Sequence, residues 1–179
     1  MLARPAQEAG LTHVEARPAL VVPIPLVEAP AMGDPHLVRA VSSADEARQF
    51  ADVLARGSEF LPPAELFDVP FHRIAPIRCY LAWEGHTPVA CSMLLPDAMF
   101  GGIYAVATLP SHRRRGHAQA LTVTSLADAV SVGCRGSCLQ ASPMGLPLYT
   151  RVGYRRSFED AVWTSPSGSP ASATSSSEP

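Results

Sequence analysis

The stretch best suited to chemistry is Val106-Ala-Thr-Leu-Pro-Ser-His-Arg-Arg-Arg-Gly-His-Ala118. An apolar run is broken by Pro110, a basic turn follows, and a helix begins near Gly116. The start of a helix leaves about four N–H groups unpaired and carries roughly half a positive charge. That geometry holds a phosphate without any catalytic side chain. Gly116 lets the main chain approach an anion, and Ala118 keeps the next turn small. Arg113, Arg114 and Arg115 add charge-assisted hydrogen bonds at the mouth. Three arginines alone would equally describe a solvated basic loop or a localisation signal. The strand before them and the helix after them favour the phosphate reading.

The surrounding pattern supplies the elements that hold this turn. Leu37 to Val41 reads as a short strand. Ser43-Ala-Asp-Glu46 is a capping box, and Ala47, Phe50, Ala51 and Leu54 then repeat with helical period until Gly57. Pro62-Pro63 opens a shorter helix holding Leu66 and Phe67. Arg78 to Trp83 and Val89 to Leu95 are strands joined by the turn Glu84-Gly-His-Thr. Ile103 to Thr108 is a third strand, preceded by Gly101-Gly102. Arg114 to Val132 predicts a long helix with Leu121, Leu126, Ala129 and Val130, closed by Gly133. Leu139 to Ser142 is a short strand, Pro147 starts a short helix that Gly153 ends, and Tyr154 to Thr164 is extended. The order β-α-α-β-β-β-α-β-α-β is a mixed α/β fold with a central sheet flanked by helices.

Composition narrows the class. The 179 residues carry a formal net charge of −2, which leaves no electrostatic footprint for nucleic acid. All 14 basic residues are Arg, so neither a lysine Schiff base nor a phosphate-loop lysine is available. Cys134 and Cys138, with Arg-Gly-Ser between them, lack zinc spacing and no His cluster accompanies them, so no metal is expected. Those two with Cys79 and Cys91 are expected as buried free thiols. The longest apolar run, Ala19 to Val27, is interrupted by Pro23 and Pro25 and is too short to span a bilayer. Glu8 and Glu15 stand where a signal peptide would be uncharged, so a cytoplasmic location is expected. The Ser- and Pro-rich residues 165–179 predict a disordered tail, and 37–164 form the domain. Residues 1–36 are an extension in which Arg17 to Leu26 is expected as an edge strand, because its prolines disfavour a central one.

Arg113-Arg-Arg-Gly116-His-Ala118 resembles the R/Q-x-x-G-x-G/A acyl-CoA pyrophosphate loop of the GCN5-related N-acetyltransferase (GNAT) family. Leu139-Gln-Ala-Ser-Pro-Met-Gly-Leu-Pro-Leu-Tyr-Thr-Arg-Val-Gly-Tyr154 is similar to that family's later strand, short helix, Tyr and Gly-Phe/Tyr ending. The two blocks, in this order and at this separation, extend the resemblance from Leu37 to Thr164. The resemblance implies acetyl transfer from acetyl-CoA to a primary amine by direct attack, with proximity supplying much of the rate. It implies that the main chain of Val106, Ala107 and Thr108 pairs with pantetheine. It places the N–H groups of Arg113 to Ala118, and of Gln119, at the pyrophosphate. It makes Tyr149 the acid that protonates the departing thiolate, a task that needs a donor within hydrogen-bond reach; a core aromatic on a short helix is the other reading of that residue.

No general base is nominated, since the strand Ile103-Tyr-Ala-Val-Ala-Thr lacks a carboxylate. Ser142 could orient a water, and Asp97 or Glu65 could reach the acceptor side, but each reads better as a loop or surface group, and His112 and His117 as helix-start or solvated residues. Two departures from the family stand out. Only one strand is convincing after Gly153, where the family has a hairpin. Gly10-Leu-Thr-His-Val-Glu-Ala-Arg-Pro-Ala-Leu-Val-Val22 looks like the close of a preceding, partly lost acetyltransferase-like repeat, an unstructured extension being the alternative. The competing function is a non-catalytic acyl-CoA-binding regulatory module of the same fold. The acceptor, a small-molecule or peptide amine, is not legible; neither nucleic acid nor membrane is an expected partner, and the oligomeric state is open, a homodimer included.

Overall fold

A computed structural model describes residues 7–23, 38–58 and 73–164 of the chain. The expected helix after Pro62-Pro63, Glu65 and the tail from 165 lie outside the described residues. Pro18–Phe158 forms one compact unit, and the described parts of Met1–Arg17 and Glu159–Pro179 belong to a second.

Seven strands form one mixed sheet: β1 (Thr12–Pro23), β2 (Val38–Ala40), β3 (Arg78–Glu84), β4 (Thr87–Pro96), β5 (Phe100–Thr108), β6 (Gly136–Gln140) and β7 (Arg155–Thr164). Their order is β2-β3-β4-β5-β6-β1-β7. The β2–β3, β3–β4, β4–β5 and β6–β1 pairs are antiparallel, while β5 and β6 run parallel. Among the described residues, α1 (Ala44–Gly57), α2 (His117–Ser131) and α3 (Leu146–Val152) accompany the sheet.

Helix α1 starts where the capping box predicts. The Ser43 side chain accepts from Glu46 N–H at 3.2 Å, but the Glu46 carboxylate reaches one residue further back, to the Ser42 N–H and hydroxyl. Its buried Phe50 and Val53 pack with Cys79, Leu81, Cys91 and Ala107. A Cβ at Gly57 would lie 3.0 Å from the Thr108 carbonyl carbon, so glycine lets the end of α1 rest on the end of β5. On the other face, Leu121, Leu126 and Ala129 of α2 pack with Ile103 and Leu139. A Cβ at Gly101 would lie 2.8 Å from that of Ala129, which is why β5 begins with glycines. Cys79, Cys91 and Cys134 are buried, Cys138 half-buried, and all four are free.

Three expectations are corrected. The long helix begins at His117 rather than Arg114, because Arg114 (φ 63°) and Gly116 (φ 89°) are left-handed and cannot belong to a right-handed helix. Strand β6 covers Gly136–Gln140 rather than Leu139–Ser142; Ser142 instead accepts from Gly145 and Leu146 N–H and starts the turn into α3. The N-terminal strand is interior in the sheet order, not at an edge. Ala19–Pro23 pair with Gly136–Gln140, and Leu20 and Val22 enter the core. Its prolines are tolerated because they sit at the ends of that ladder: Pro18 offers only its carbonyl, to Ala141 N–H, and Pro23 is the last residue. The strand missing after Gly153 is thus matched by one arriving from the N-terminal side.

Candidate functional site

Strand β5 has a break in its register at its middle. Tyr104 pairs with Met93 and Ala107 with Cys91, so Ala105 and Val106 together oppose Ser92. Ala105 has φ 52°, a bulge that turns the strand at this point. On the other edge, the parallel pairing with β6 stops at Gly102–Cys138. Beyond it the two strands part, and no strand among the described residues pairs with that edge of Ile103–Thr108. Val106, Ala107 and Thr108 therefore lie along a sheet edge open to an extended ligand.

The chain leaves β5 through a 3-10 turn, Pro110–His112, and reaches α2 by the two left-handed residues. Gly116 caps α2 with no side chain, so the N–H groups of His117, Ala118 and Gln119 stay open at the helix start. The three arginines differ. Arg113 turns inward, donating to the Thr108 carbonyl at 3.3 Å and the Gly57 carbonyl at 3.1 Å. Arg115 donates to the Glu84 carboxylate at 3.0 Å and the Ser111 carbonyl at 3.0 Å. Arg114 is exposed and makes no side-chain hydrogen bond or ion pair among the described residues.

Glu84, at the end of β3, was not singled out from the sequence. His117, buried at the start of α2, places Nε2 2.7 Å from its Oε1, and His112 Nε2 lies 3.8 Å from its Oε2. The His117 hydrogen bond, aided by Arg115 and His112 and opposed by desolvation, lowers the Glu84 carboxyl below its usual range. This carboxylate ties the β3–β4 hairpin to the turn. Its partners Arg115 and His117 lie 31 and 33 residues away, so no local pattern announces it.

Tyr149 is buried on α3. A Cβ at Gly145 would lie 2.9 Å from its ring, and Tyr154 packs edge-on at 6.0 Å. Burial pushes its hydroxyl up to about 12, so it is a proton donor throughout the neutral range, and no group among the described residues takes its hydrogen bond. Behind it, Ser137 donates to the Gly101 carbonyl at 2.6 Å and therefore accepts from Tyr154, at 2.7 Å. That buried chain fixes the end of α3 against β5 and β6. Ser142 accepts from Gly145 N–H at 3.2 Å, a turn-forming role. Asp97 borders a cavity of about 510 Å³ with Arg73, Ile77, Arg78 and Val132. That cavity is at the far end of α2, about 22 Å from the basic turn by the helix rise, and takes no part in this site. Among the described residues no group of three or more His, Cys, Asp or Glu could hold a metal ion, and no helix is long and apolar enough to cross a membrane.

A bulged strand beside a parting of parallel strands, leading to an uncapped helix start, is a geometry that can hold an extended phosphate-bearing ligand. The family model described as "Acetyltransferase (GNAT) domain" matches residues 38–157, more than half of the chain. The chain belongs to the GNAT acetyltransferases. A solved GCN5-related N-acetyltransferase from Kribbella flavida is similar at 25% identity and TM-score 0.69, covering 93% of this chain and 64% of its own length. This chain thus spans less than two thirds of that protein. Glucosamine-6-phosphate N-acetyltransferase from Arabidopsis thaliana shares the fold at 16% identity and TM-score 0.58, over 68% of this chain and 92% of that one. So does AAC(6')-Iy, solved with the bisubstrate analogue CoA-S-monomethyl-acetylneamine, at 13% identity and TM-score 0.59, over 66% of this chain and 90% of that one. No curated protein matches the sequence.

Proposed function

We propose that the chain is an acetyl-CoA-dependent N-acetyltransferase that transfers the acetyl group to a primary amine by direct attack. The observation that carries this reading is the continuous path from the bulge at Ala105, along the free edge of β5, to the uncapped start of α2. In this reading the main chain of Val106, Ala107 and Thr108 pairs with pantetheine. The N–H groups from Arg113 to Gln119, in a turn held by the Arg113 and Arg115 side chains, receive the pyrophosphate, with the Arg114 guanidinium free to join them. Acetyl-CoA, the acyl donor, supplies the thioester, and no metal is needed.

Tyr149 packs with the core on the α2 side of the sheet and serves the sulfur from there. That leaves the α1 side for the incoming amine. The amine nitrogen forms a bond to the acetyl carbon, the C–S bond breaks, the amine proton passes to water, and the thiolate takes a proton from Tyr149, which water then reprotonates. The described part of β5 offers no carboxylate base, so the amine enters neutral. The relatives by fold whose names or ligands carry amino sugars support an amine acceptor. We assign the acetyltransferase domain to 37–164, its sheet completed by Ala19–Pro23 of the N-terminal extension, and a cytoplasmic location.

The test is thiol release on mixing the chain with acetyl-CoA and a panel of primary amines, with the acetylated amine identified by mass. Transfer to at least one amine is expected. Tight acetyl-CoA binding with no transfer to any amine would instead support a regulatory acyl-CoA-binding module.

A further inference from the structure

The face of the sheet left to the amine carries an aromatic floor. Gly101 and Ile103 face α2, so Phe100, Gly102 and Tyr104 point the other way by the alternation of a strand. The pairing agrees, since Met93, opposite Tyr104, packs into the cluster on the α1 side. A Cβ at Gly102 would lie 2.6 Å from the Tyr104 ring, and one at Gly136 2.6 Å from the Phe100 ring. Each aromatic ring therefore fills the space above a glycine, beside the place where β5 and β6 part. Cys138 and Val21, in register with Gly102 and with each other, continue the same face. Tyr104 and Phe100 stay 47% and 43% exposed. Two neighbouring aromatics so exposed on one face mark a contact surface. The Tyr104 hydroxyl has no hydrogen-bond partner among the described residues. No Asp or Glu occurs on this face of β5 and β6, or among Ala19–Pro23.

We propose that Tyr104 and Phe100 form the floor of the acceptor site, which selects a primary amine borne on an aromatic or apolar body over a polycationic amine. The inference rests on the acetyltransferase reading above. Its physical ground is charge: a polyamine loses water from several ammonium groups and needs carboxylates in return, whereas an apolar body gains by covering the two rings. The bulge sets Tyr104 at the edge where the thioester carbonyl would lie, so its ring holds the apolar body of the amine beside the reacting group.

The experiment compares 2-phenylethylamine with spermidine as acceptors for the full chain with acetyl-CoA, followed by thiol release and product mass. The kcat/KM for 2-phenylethylamine is expected to exceed that for spermidine by about tenfold or more. Tyr104→Ala should lower it about five- to tenfold, chiefly through KM, and Tyr104→Phe should recover most of that loss. Acetyl-CoA affinity and melting temperature should be unchanged in both variants. Equal or faster acetylation of spermidine by the unaltered chain overturns the inference without recourse to any variant. So does a Tyr104→Ala protein that is folded and keeps its kcat/KM for 2-phenylethylamine. Transfer to neither amine, with acetyl-CoA still bound, overturns the inference too, and if it extends to the whole amine panel it removes the acetyltransferase reading beneath it.

Discussion

Arg113→Ala and Arg114→Ala should fail in different assays although the residues are neighbours. The Arg113 guanidinium holds two carbonyls, those of Thr108 and Gly57, at 3.3 and 3.1 Å. The distances are long and the side chain half-exposed, so each bond is worth less than the usual charged hydrogen bond, about 1 kcal/mol. Losing both costs about 2 kcal/mol, which lowers the melting temperature of a chain this size by about 4–8 °C. Arg114 has no such bonds. Arginine and alanine bear the same strain at φ 63°, so Arg114→Ala should leave the melting temperature within about 1–2 °C. It removes the free charge at the phosphate mouth, and acetyl-CoA affinity should fall about tenfold, or ~1.4 kcal/mol. That difference should shrink at high salt, because the group is exposed. Calorimetric titration at two ionic strengths, with thermal unfolding of the same preparations, reads both effects. Destabilisation by Arg114→Ala with affinity intact would refute the assignment of roles, as would an Arg113→Ala protein of unchanged melting temperature.

Ala105→Gly relieves a left-handed alanine at φ 52°. The relief outweighs glycine's extra chain entropy by about 0.5–1 kcal/mol, so the melting temperature should rise by about 2–3 °C; a fall would show that the bulge is not strained. Gly145→Ala puts a Cβ 2.9 Å from the Tyr149 ring and should lower kcat about tenfold or more with acetyl-CoA affinity retained; unchanged turnover would remove the need for glycine there. Tyr149, pushed up to about 12, loses its proton only as pH rises through that value, so its contribution is present below it. The kcat/KM should therefore rise as the acceptor amine deprotonates and show no alkaline fall below about pH 10. A fall near pH 8–9 that disappears in Tyr149→Phe would contradict this.

The turn from β5 into α2 was legible because its parts are local: a strand, a proline, three arginines and a glycine within thirteen residues. The hairpin and α1 were legible for the same reason, through turn and cap residues. What escaped depends on residues far apart. Glu84 meets His117 and Arg115 only when the β3–β4 hairpin lies beside the start of α2. The arginine triplet reads as three equal charges in sequence; Gly57 and Glu84 make it, among the described residues, one strut, one free cation and one latch. The interior place of the N-terminal strand was hidden because proline was weighed by its presence rather than by its position at the ladder's ends. The bulge at Ala105 has no sequence mark, since alanine stands where glycine or asparagine would have signalled a left-handed residue.

The central claim is tested most directly by Tyr149→Phe, with turnover, acetyl-CoA affinity and melting temperature measured on one preparation. The substitution keeps the ring packed against Gly145 and Tyr154 and removes only the hydroxyl, which acts in the transition state. The account predicts a kcat lowered by about 10²–10⁴-fold, with affinity and melting temperature nearly unchanged. An unchanged kcat, with the chemical step shown to be rate-limiting, would contradict it.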